Sequence, residues 1–141
     1  MPTVPLHSTQ REKDADRSKS ADELVAQVRR LLDDGVPPSQ ITIVGASKGA
    51  VITMIASTRL QNRDVGYVIL GNNDWVLDNI EPRLSGRVLS IYEETDEFGH
   101  TCGPIFARGS SALEEHEEIA LHLSINRVAL HAAGRMGTPL Q

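Results

Sequence analysis

Gly45-Ala46-Ser47-Lys48-Gly49 is a G-x-S-x-G sequence, and its residue types suit nucleophilic catalysis. A serine that attacks a carbonyl must stand exposed on an abrupt strand-to-helix turn, and flanking glycines remove side chains that would collide there. The serine oxygen then lies at a helix N-terminus, where unpaired amides and the helix dipole stabilise a developing oxyanion. The Lys48 amide is the expected donor.

A serine hydroxyl needs a base, and the base needs a carboxylate to orient it. In open parallel sheets chemistry gathers at the C-terminal ends of strands, so the acid is expected just beyond a strand that follows the serine. Asp96, in Glu93-Glu94-Thr95-Asp96-Glu97, has that position, with Glu94 and Glu97 as alternatives. Five histidines are available. His7 precedes every expected element, His100 follows Asp96 closely, and His116 among Glu114, Glu115, Glu117 and Glu118 reads as a helix surface. His122 and His131 lie farthest along the chain, and His131 is selected as the base.

Several elements must position these groups. Ser20 and Glu23 have the spacing of a capping box, and Leu24, Val25, Val28, Leu31 and Leu32 share one helical face. Gly35 and Pro37-Pro38 end that helix. Ile41-Thr42-Ile43-Val44 is a β-branched run that reads as a buried strand, and it leads through Ser47 into a helix over 48–60. Gly66 to Leu70 and Arg87 to Tyr92 read as further strands. Thr3 to Leu6 suits an edge strand. Residues 111–123 have helix-forming composition, and 134–139 read as unstructured. Helix and strand alternate, which predicts a parallel sheet with crossover helices.

The expected class is α/β, with a small parallel sheet of three or four strands flanked by helices in a reduced three-layer sandwich. Residues 1–19 are expected to form a polar arm and 20–141 a single domain.

Gly45 to Ala50 after Ile41 to Val44, then Tyr67 to Gly71, then Val88 to Glu93 with Asp96, resembles the α/β-hydrolase superfamily, above all its small bacterial members. The resemblance spans roughly residues 20 to 122. It implies Ser47 as nucleophile, Asp96 as triad acid, an ester-like small-molecule substrate and no cofactor. Against that family's pattern the chain is short ahead of its first helix and carries no His-Gly pair near its C-terminus.

The elbow residues also resemble the phosphate turn of short-chain dehydrogenases, which bind NAD(P) at a helix N-terminus. Val51 stands where that turn needs its third glycine. The only lysines are Lys13, Lys19 and Lys48, so a tyrosine with a lysine four residues later is absent. A third reading keeps the domain as a binding or oligomerisation module, since small sheets leave edges and apolar faces that suit a homodimer.

Composition narrows the class further. The 141 residues carry 14 basic and 19 acidic side chains, a net charge of −5, which argues against nucleic-acid binding. No apolar run reaches the roughly 18 residues of a membrane span. Residues 1–20 lack a signal-peptide core, and one cysteine excludes an internal disulfide. A cytoplasmic, metal-free domain is expected.

Overall fold

The computed structural model describes residues 17–72, 75–95, 100–123 and 128–135. Helix α1 spans Arg17–Asp33 and buries Ala21, Val25 and Val28. It starts ahead of Ser20, so Ser20 lies inside the first turn and the expected capping box does not set the boundary. Arg59 meets the Ser18 carbonyl and hydroxyl and the Asp22 carboxylate, which ties this first turn to the next helix. Gly35 ends α1 at φ +90, with its amide on the Leu32 carbonyl and the Val36 amide on that of Leu31. That pairing satisfies two carbonyls the helix end would otherwise leave free.

Strand β1 (Thr42–Ala46) leads into α2 (Lys48–Leu60), and β2 (Gly66–Leu70) into α3 (Trp75–Asn79). Strand β3 (Gly86–Glu93) is followed by the short α4 (Gly103–Phe106), then β4 (Leu113–Leu123) and β5 (Val128–Arg135). The sheet order is β1-β2-β3-β4-β5. The first four strands are parallel, and β5 returns antiparallel along β4. The α/β class and the small parallel sheet flanked by helices stand as the sequence predicts.

Residues 111–123 do not form the expected helix. Glu, Ala and Leu favour a helix in isolation, but β4 gains ladder hydrogen bonds on both edges, and that tertiary pairing overrides propensity. His116, Glu118 and Ala120 alternate along the strand, and the last two are buried.

Strand order also decides the layers. Each crossover from β1 to β4 steps in the same direction, and right-handed connections then fall on one face of the sheet. The hydrophobic core agrees. Its strand members are Ile43, Tyr67, Ile69 and Val88, which the register places on one face of the sheet, packed with residues of α1, α2, α3 and α4. Val44, Val68, Leu70, Leu89 and Ile91 point the other way and join no core cluster, and Val44 is 62% exposed. The expected third layer is therefore missing among the described residues, because a sheet wound in one direction covers only one of its faces.

Candidate active site

The turn from β1 into α2 gathers the chemistry. Ser47 has φ 57 and ψ −118, a conformation that costs a residue with a Cβ about 1–3 kcal/mol. Its amide donates to the Leu70 carbonyl at 3.2 Å, and its carbonyl accepts the Ala50 amide at 3.0 Å. The side chain is exposed and makes no capping hydrogen bond. The hydroxyl is thus held outward beside the first amides of a thirteen-residue helix, among them that of Lys48.

The two glycines of the motif have different tasks. A Cβ on Gly45 would overlap the Gly49 carbonyl oxygen and the Thr53 hydroxyl, whereas one on Gly49 would meet nothing within 4 Å. Only Gly45 is required for close approach of strand and helix. The Thr53 hydroxyl, donating to the Gly49 carbonyl at 2.8 Å, fills the space this leaves.

Around the C-terminal ends of β2, β3 and β4 lies a second group of polar side chains. Asn72 is buried; its carbonyl accepts the His100 amide at 2.8 Å, and its Nδ2 donates to the Thr101 carbonyl at 3.3 Å. Its Oδ1 has no partner among the described residues. Glu118, 6% exposed, accepts from the Cys102 amide at 2.6 Å and from the Thr101 hydroxyl. The Ser90 hydroxyl donates to Cys102 Sγ at 3.2 Å. Sequence reading missed this group, since nothing in a run of glutamates distinguishes the one that faces inward.

The described residues bring no two members of the predicted triad together. Asp96 lies outside the described residues, as do His7 and the suggested strand at Thr3 to Leu6. His131 is on β5, paired with Ala120. Its backbone is four strand spacings from β1, about 19 Å, and no imidazole reaches a serine across that distance. The structure thus corrects the choice of His131: it sits on the far edge strand, not on a loop returning to the elbow. His116 stands on a strand, not on a helix surface; its ring lies 4.3 Å from that of Phe106, and burial lowers its pKa.

His122 Nδ1 faces a Glu94 carboxylate oxygen at 3.6 Å, also at the C-terminal end of the sheet but three strand spacings, about 14 Å, from β1. Among the described histidines, His100 is the one tied to the end of the strand next to β1, through Asn72, two residues beyond the Leu70 carbonyl that accepts the Ser47 amide.

Cys102 is buried, and burial pushes its thiol from near 9.0 up to about 12. At pH 8 only about one thiol in ten thousand would be ionised, so the native chain should resist iodoacetamide and react on unfolding. The same shift has a stability consequence. A neutral group favoured by folding contributes below its unfolded pKa and loses that contribution as pH rises towards the folded value. Tyr67, also pushed up by burial, acts in the same sense. The melting temperature should fall from pH 9 towards 12, less steeply in Cys102→Ala, and an equal slope in both would refute this account.

Among the described residues no three histidine, cysteine, aspartate or glutamate side chains converge as a metal site. No described helix is long and apolar enough to cross a membrane. Neither protein-family models nor curated proteins yield a match to this chain.

Proposed function

We propose that the chain is a serine hydrolase of the esterase type, acting on a small ester in a cytoplasmic setting without a cofactor. The observation that carries this reading is the backbone of Ser47, which keeps an unfavourable conformation while presenting an exposed hydroxyl at a helix N-terminus. In the reaction Ser47 Oγ bonds to the ester carbonyl carbon as a base takes its proton. The Lys48 amide stabilises the resulting oxyanion. The carbon–oxygen bond to the alcohol then breaks, and the alcohol leaves with that proton. Water repeats the sequence on the acyl-enzyme and releases the acid.

This reading uses Asp96 as the orienting acid and His100 as the base. The support for His100 is its anchorage on Asn72 beside the β2 end that holds Ser47, and the serine–acid–histidine order along the chain.

Intact-mass labelling with a fluorophosphonate tests it. A single adduct is expected on the native chain and none on Ser47→Ala. The labelling rate should drop at least a hundredfold in His100→Ala and stay within twofold in His131→Ala. A folded chain without an adduct would refute the reading. A binding or oligomerisation module, favoured by the sheet face that no described helix covers, would then lead.

A further inference from the structure

We infer that Glu118 is a positioning residue of the candidate active site: from the covered face of β4 its carboxylate pins Thr101 and Cys102, and so fixes the placement of His100 relative to the elbow. The inference rests on the reading of Ser47 as nucleophile and His100 as its base.

Burying a carboxylate is unfavourable unless its oxygens find donors. Here both oxygens are used on consecutive residues of a single segment. One accepts the Thr101 hydroxyl and the other accepts the Cys102 amide at 2.6 Å. Thr101 Oγ1 in turn accepts the Gly103 amide at 3.0 Å. An apolar side chain in this place would fill the space but could not fix the segment's register.

The rest of the segment is held from two other strands. The Ser90 hydroxyl reaches Cys102 from β3. Asn72, just past β2, takes the His100 amide on its carbonyl and gives its own amide to the Thr101 carbonyl. Residues 100–102 are thereby attached to β2, β3 and β4 at once. Glu118, Ser90 and Cys102 are buried, so the bonds of Glu118 and Ser90 to Cys102 are shielded from water, where hydrogen bonds are strongest. Removing Glu118 frees two of the four points downstream of the histidine and leaves its own amide on Asn72.

The test separates this from a general packing role. Fluorophosphonate inactivation of the full chain, measured over a concentration series, yields kinact and KI for wild type, Glu118→Ala and Thr101→Val. The expected result is a kinact lowered at least tenfold in Glu118→Ala and several-fold in Thr101→Val, with KI within twofold in both. Thr101 is exposed, so its variant carries the test if Glu118→Ala does not fold. An unchanged kinact in a folded variant overturns the inference, as does a loss shared equally between kinact and KI.

If wild type is not labelled, the serine-hydrolase reading fails, and amide exchange decides the positioning claim alone. Exchange at His100 and Cys102 at least tenfold faster in the variant upholds the pinning. Equal exchange overturns it.

Discussion

Gly45→Ala is expected to lower the melting temperature by roughly 10 °C, the largest stability loss of any single methyl added to this chain's elbow. The added carbon would overlap the Gly49 carbonyl oxygen and the Thr53 hydroxyl. Thr53 can rotate away at the cost of its hydrogen bond to the same carbonyl. The Gly49 oxygen is backbone in the first turn of α2 and cannot move without lifting the helix off β1. A penalty of about 3 kcal/mol follows. Gly49→Ala is the matched control. Its new methyl meets nothing, and alanine in a helix is favoured over glycine by about 0.5 kcal/mol or more, so it should melt slightly above wild type. Thermal melts of the two variants check the pair, and equal melting temperatures would mean that helix and strand do not approach as described.

Ser47→Gly is expected to abolish every fluorophosphonate adduct and yet melt above Ser47→Ala. Both variants lose the hydroxyl. Only glycine accepts φ 57 with ψ −118 without strain, which returns about 1–3 kcal/mol. Glycine's greater freedom in the unfolded chain takes back a part of that, about 0.5–1 kcal/mol, leaving a net gain of about 1 kcal/mol. Loss of function with gain of stability marks strain that is kept for chemistry. If Ser47→Gly melts below Ser47→Ala, the conformation is not strained and the strongest support for a nucleophile goes with it.

The elbow was legible in the sequence because everything that makes it is local. Four residues of β-branched strand, two glycines and an apolar helix face lie within twenty residues of one another, and β2 and β3 were readable as short apolar runs. The boundary of α1 was legible only to a turn, since its first residues are placed by Arg59, far along the chain.

Strand β4 was not legible. Leu113 to Leu123 has the composition of a helix, and what makes it a strand is its pairing with β3 and β5, which no local window contains. That one misreading displaced the histidine. Once 113–123 is a strand, the residues after it return as an antiparallel neighbour and carry His131 to the edge farthest from Ser47. The inward carboxylate of Glu118 was hidden for the same reason, because only a period of two separates it from the less buried Glu115 and Glu117 beside it.

A strand that serves one layer gives up every second residue to the outside. On β1 the outward set is Thr42, Val44 and Ala46, interleaved with Ile43 and Gly45 on a segment that ends at Ser47. Thermal unfolding weighs the inward set almost exclusively, because only those side chains leave the core when the chain opens. The outward set can therefore drift in size and polarity with little trace in a melting curve. Two records are thus written on alternate residues of one short strand: one kept by the stability of the elbow, the other by whatever the open face encounters.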